Sequence, residues 1–134
     1  MGLNTRFENG RQIIDGWNNV FTALSAEPRR QLVVSLMEAP RNQPVTLPES
    51  AINPNVPADP EQLRLRLRHR HLPMLADQGF VTWETDPLVA SRGTHFEEVA
   101  VVLEALHATA GDIPDSLVIG CQRLETERQE SVGE

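Results

Sequence analysis

Residues 59–80 read Asp59-Pro60-Glu61-Gln62-Leu63-Arg64-Leu65-Arg66-Leu67-Arg68-His69-Arg70-His71-Leu72-Pro73-Met74-Leu75-Ala76-Asp77-Gln78-Gly79-Phe80. Two periods compete in this stretch. From Leu63 to Arg68 leucine and arginine alternate, which is the pattern of a strand with one apolar face. The flanks favour a helix. Asp59 is an N-cap residue, Pro60 stands where a helix needs no N–H, and Gln62 follows the cap by three. Arginine and leucine are good helix formers, and no turn residue intervenes before Gly79. The reading is therefore a helix over 60–78. It places Leu63, Leu67 and Met74 on one stripe, and Leu65, Leu72 and Ala76 on a second, nearly opposite. Pro73 should lose the bond to the His69 carbonyl and kink the helix. Gly79 is the expected C′ residue.

The same stretch is basic in an acidic protein. Arg64, Arg66, Arg68 and Arg70 are four of the twelve basic residues, and the net charge is −7. A local positive segment points to contact with a polyanion; the competing account pairs these arginines with surface carboxylates. All the basic residues are arginine, which binds carboxylate and phosphate bidentately. An acidic, lysine-free composition resembles that of extreme halophiles, and also what a GC-rich genome produces by drift.

Upstream, Trp17, Val20, Phe21 and Leu24 have helical spacing. Residues 1–14 show no sustained period and read as a flexible arm. Ser25 is a candidate N-cap for a second helix over 26–39, with Pro28 in its first turn and Leu32, Val33, Leu36 and Met37 on one face. Six prolines between 40 and 60 exclude a long regular element. One short helix is expected after the capping-box spacing of Thr46 and Glu49, with Leu47, Ala51 and Ile52 facing the core.

Downstream, Phe80–Glu84 and Leu88–Ser91 read as two strands of a hairpin about Thr85-Asp86-Pro87. Thr94 and Glu97 have capping-box spacing before a helix over 96–109. Its Phe96, Val99, Val102, Leu103 and Leu106 serve either a wide core contact or a dimer interface. A last helix over 115–130 would run through Leu117, Val118, Cys121 and Leu124, with 129–134 frayed. The domain reading is an arm (1–14), a main domain (15–93), C-terminal helices for dimerisation (94–128) and a disordered tail.

Three helices followed by a two-stranded hairpin is the winged helix-turn-helix order. The fold class expected is thus mainly α with a small β-hairpin. Two segments carry a family resemblance over about residues 17–92. Leu24-Ser25-Ala26-Glu27-Pro28-Arg29-Arg30-Gln31-Leu32 resembles the "LS-x-x-x-RR-x-L" opening of archaeal winged-helix regulators. Arg70-His71-Leu72-Pro73-Met74-Leu75-Ala76-Asp77-Gln78-Gly79-Phe80-Val81 resembles their "HLPKLxDAGxV" segment, and the "HLxxLxxAGLV" end of the recognition helix in ArsR-type repressors. The resemblance, strongest to small winged-helix domains of halophilic archaea, implies a transcription regulator whose helix 60–78 enters the major groove.

On that reading the candidate contacts to double-stranded DNA are Arg64, Arg66, Arg68, His69 and Arg70, with Arg29, Arg30 and Arg92 as phosphate contacts. Glu84 and Asp86 count against it, since they give the wing an acidic tip. The alternative is a winged-helix module that binds another protein and no DNA. A homodimer is expected. His69 and His71 are badly spaced for joint metal binding, His95 and His107 are isolated, and Cys121 reads as a small packed residue, so no metal or cofactor is expected. No nucleophile–base pair or phosphate-cradling glycine loop is present, so no enzyme is expected. No apolar run of about 18 residues or signal-peptide core is found, and a cytoplasmic location is the default. Nothing in the sequence names an effector.

Overall fold

A computed structural model describes residues 2–118 and 122–132. Helix α1 (Gly2–Leu24) and α2 (Glu27–Glu38) lead into a two-residue strand β1 (Val45–Thr46) and a 3-10 turn at Glu49–Ala51. The basic stretch follows as α3 (Pro60–Arg66), a π turn at Leu67–His71 and α4 (Leu72–Asp77), one uninterrupted helical run. Strands β2 (Val81–Thr85) and β3 (Leu88–Arg92) form the hairpin, and α5 (Phe96–Ala108), α6 (Asp115–Val118) and α7 (Gln122–Val132) close the chain. Cys121, expected within a single last helix, lies outside the described residues. Helix α7 runs past 129 to Val132, so the first part of the expected tail is helical.

The ends of the basic helix form as their residues dictate. The Asp59 carboxylate accepts from the Glu61 N–H at 3.0 Å. At the other end the Gly79 N–H bonds the Ala76 carbonyl and the Phe80 N–H bonds the Leu75 carbonyl, the Schellman pair. Gly79 has φ of 76°, a left-handed conformation that favours glycine. Gly93 passes directly over this turn: a Cβ there would collide with the Gly79 carbonyl oxygen.

Pro73 acts through the π turn. The Leu72 N–H bonds the Leu67 carbonyl, five residues back. The wider turn puts Pro73 in the first turn of a fresh α segment, where its missing N–H is tolerated. It also adds a residue and shifts the phase. Leu72 therefore joins Leu63, Leu67 and Leu75 in the core, while Leu65 is left exposed. The expected second stripe of Leu65, Leu72 and Ala76 does not exist.

The hairpin alternates as read, with Trp83 opposite Ala90 and Val81 opposite Arg92. The sheet has a third strand that the proline density concealed: Val45 and Thr46 pair with Ala90 and Val89, giving the order β1-β3-β2. Proline is tolerated beside an edge strand of this length. Thr46 is thus in a strand and caps nothing; the 3-10 turn begins after Pro48 with no side-chain cap. Leu47 and Ala51 are buried as expected.

Two further caps are corrected. Ala26, not Ser25, precedes α2, and the Ser25 hydroxyl donates back to the Thr22 carbonyl at 2.6 Å. His95, not Thr94, precedes α5, again with no side-chain cap bond. The core gathers Val20, Ala23 and Leu24 of α1, the inner faces of α2 and α5, the leucines of 63–75, and Phe80, Val81, Leu88 and Ala90 of the sheet. Phe96, Val99, Ala100 and Leu103 of α5 all lie in it, which is the wide core contact. Helix α1 extends back through the stretch read as an arm, and among its described side chains from 8 to 19 none is buried.

Candidate nucleic-acid interface

Arg66, Arg68, His69 and Arg70 are exposed on the run 60–77, and Arg64 is half-buried beside them. Residues 68–70 are exposed consecutively because the π turn spreads them outward while it carries His71 and Leu72 into the core. Among the described residues, none of Arg64, Arg66, Arg68 and Arg70 forms an ion pair or a side-chain hydrogen bond. No carboxylate among the described residues pairs directly with them.

Arg29 is different. It is 2% exposed. Its Nε donates to the Ala23 carbonyl at 2.9 Å, and its Nη2 donates to the Thr22 carbonyl and the Ser25 hydroxyl, each at 3.0 Å. Its Nη1 donates to Nδ1 of His71 at 2.8 Å. Arginine can only donate, so Nδ1 of His71 is the acceptor and the ring is the neutral tautomer with its proton on Nε2. Burial first, and then the nearby Arg29, Arg70 and Arg66 charges, together hold the His71 pKa down to about 4. Burial, then Arg70 and Arg30, also lowers the Arg29 pKa from its usual value. This arginine ties the last turn of α1 to the π turn and has no free donor face to offer a phosphate.

Arg30 and Arg92 are likewise internal ties. Arg30 Nη1 donates to the Leu24 carbonyl at 2.7 Å. Arg92 donates to the carbonyls of Leu36, Met37 and Ala39 and lies over the Phe96 ring, 5.0 Å from its centre. A cation at these carbonyls neutralises the negative end of α2 and fills orphan acceptors there. Burial removes Arg29 from the expected contact set, while the partly exposed Arg30 and Arg92 hold helix-terminal carbonyls, which the sequence spacing did not disclose.

What remains is one continuous face. The spacing 62, 65, 66, 69 puts Gln62, Leu65, Arg66 and His69 together on exposed positions, with Glu61, Arg68 and Arg70 around them. Gln62 and Leu65 were not expected there; their i, i+3 relation was legible, but Leu65 was assigned to an apolar stripe. The hairpin tip adds no positive charge, since Glu84 and Asp86 are exposed. Among the described residues no three metal-ligating side chains converge, and no helix is long and apolar enough to cross a membrane. Comparison with protein-family models, with curated proteins and with solved structures gives no match.

Proposed function

We propose that this chain is a winged helix-turn-helix protein that binds double-stranded DNA, as a transcription regulator would, through the exposed face of 60–77 in the major groove. The element order supports the architecture: α2, the Glu49–Ala51 turn, the run 60–77 and the β2–β3 hairpin follow in sequence, with β1 as the third strand. The observation that carries the function is the unpaired arginine set. Clustered like charges repel in the folded state, and no ion pair among the described residues engages them. A phosphate backbone would, by exchanging condensed counterions for guanidinium.

The chain acts as a homodimer in this proposal. The apolar surface for it lies on α1, where Ile13, Ile14, Trp17 and Phe21 are each at least half exposed and Val101 of α5 adjoins them. Trp17 and Phe21 stack with centroids 5.8 Å apart. Taking an aromatic side chain at about 150–250 Å², the patch exposes roughly 500 Å². With its polar border of Asn9, Gln12, Glu97 and Glu98 it approaches the ~800 Å² per partner of a stable dimer. A two-fold pair presents two arginine faces to two half-sites.

The test is fluorescence anisotropy with labelled genomic fragments over a KCl series. Wild type should bind with a steep salt dependence; Arg70→Ala should reduce the slope by about 1, and Arg66→Ala should weaken binding about tenfold or more. The acidic hairpin tip favours a second reading, an interaction module that binds a protein and no DNA. No duplex binding at any salt, with a stable protein partner recovered, would replace the first reading by the second.

A further inference from the structure

We infer that Gln62 and Leu65 read an A·T base pair, which makes them specificity-determining residues at the centre of the arginine face; the inference rests on the DNA-binding reading above. Four leucines of the run, Leu63, Leu67, Leu72 and Leu75, are at most 8% exposed, while Leu65 is 57% exposed. Its helical neighbours three and four residues away are Glu61, Gln62, Arg68 and His69, all polar and all exposed. None of these helical neighbours is apolar, so along the helix Leu65 stands as a single apolar group. One apolar group within a ring of hydrogen-bonding groups matches the major-groove edge of thymine, which alone presents a methyl group.

Gln62 supplies the other half. Its amide carries an NH2 donor group and a carbonyl acceptor, the pattern that pairs bidentately with N6 and N7 of adenine. Three residues of helix advance about 4.5 Å, and successive base pairs are about 3.4 Å apart. Side chains at 62 and 65 therefore reach the same base pair or adjacent ones. Arg66 and Arg68 flank them with the donors that suit guanine O6 and N7. Glu61 shares the face and repels phosphate, which directs this part of the surface toward base edges and away from the backbone. The preferred site then contains an A·T pair beside G·C pairs.

The experiment selects the preferred duplex from a random library with the wild-type protein, then replaces each thymine of that duplex in turn by deoxyuridine. Removing one 5-methyl group at the position that Leu65 contacts should weaken wild type about 3–5-fold, the value of one buried methyl. Leu65→Ala should bind both duplexes equally, and Gln62→Ala should lose about tenfold or more of the preference for adenine at its position. Both positions are exposed on a helix and alanine is a strong helix former, so the fold is kept; circular dichroism verifies it. Selective binding by wild type that is indifferent to every deoxyuridine replacement, or a Leu65→Ala protein with unchanged thymine sensitivity, overturns this inference and leaves DNA binding standing. Failure of wild type to bind any duplex removes both.

Discussion

Arg29 and Arg66 carry the same side chain to opposite ends. Arg66 stands in solvent, whereas Arg29 is enclosed and donates to two carbonyls, a hydroxyl and an imidazole. Replacing Arg29 by alanine leaves those acceptors buried without a donor, and should cost about 3–5 kcal/mol of stability in urea denaturation. Arg66→Ala should stay within about 0.5 kcal/mol. The imidazole that Arg29 holds gives a pH signature. The folded pKa of His71 is about 4, below the ordinary 6.5. Between those values the unfolded chain binds the additional proton, so stability falls as pH drops from about 6.5 toward 4 and is fully present above that window. The loss attributable to His71 is roughly 2–4 kcal/mol. His71→Asn keeps an acceptor toward Arg29 without titrating. Urea midpoints at pH 7, 5.5 and 4.5 should therefore fall less for the variant, and parallel curves would show that His71 contributes nothing to the slope.

At the scale of elements, equal motifs have unequal outcomes. Asp59, Thr46 and Thr94 each precede an acid or amide by three residues. Only Asp59 caps: its carboxylate bonds the Glu61 N–H, while α5 and the Glu49–Ala51 turn start without a side-chain cap. Asp59→Ala should cost about 1 kcal/mol, and Thr46→Ala and Thr94→Ala less than about 0.5 kcal/mol. Thermal melts of the three variants rank them directly, and equal shifts would contradict the assignment. The π turn is the other decision at this scale. Without its extra residue the basic half and the Pro73 half could not both keep leucines on the core side. With it, Leu63 and Leu67 continue into Leu72 and Leu75. The arginines are thereby presented outward from a helix that is anchored along its whole length.

Over the whole molecule, α1 is the least satisfied part. Its last turns are in the core, yet its apolar band from Ile13 to Phe21 faces outward. A patch of roughly 500 Å² lies within the range of the largest apolar patch of a monomer, which is often functional, and the dimer proposal assigns it to a second copy. Trp17→Glu, which puts a charge at the middle of the band, should convert a dimer to a monomer by sedimentation equilibrium at micromolar concentration, with the helical signal retained. A wild type that is monomeric across that range removes the dimer from the proposal. The net charge of −7 opposes self-association in general. Dimerisation should therefore strengthen with salt while DNA binding weakens, which separates the two equilibria experimentally.

What the sequence determined by itself was whatever local spacing controls. The start at Asp59, the end at Gly79, the alternating strands about Asp86-Pro87 and the apolar faces of α2 and α5 each depend on contacts within a few residues, and each formed. Tertiary structure decided the rest, because the partners are far apart in the chain. Val45 finds Ala90, Arg29 finds His71, and Arg92 finds the carbonyls of Leu36 and Ala39. Of the eight expected contact residues, Arg29 is enclosed by its ties, and Arg30 and Arg92 are held to helix-terminal carbonyls. The face of 60–77 survived as a candidate for the converse reason. Its arginines found no partner among the described residues, and the phase shift before Pro73 set Leu65 in their midst.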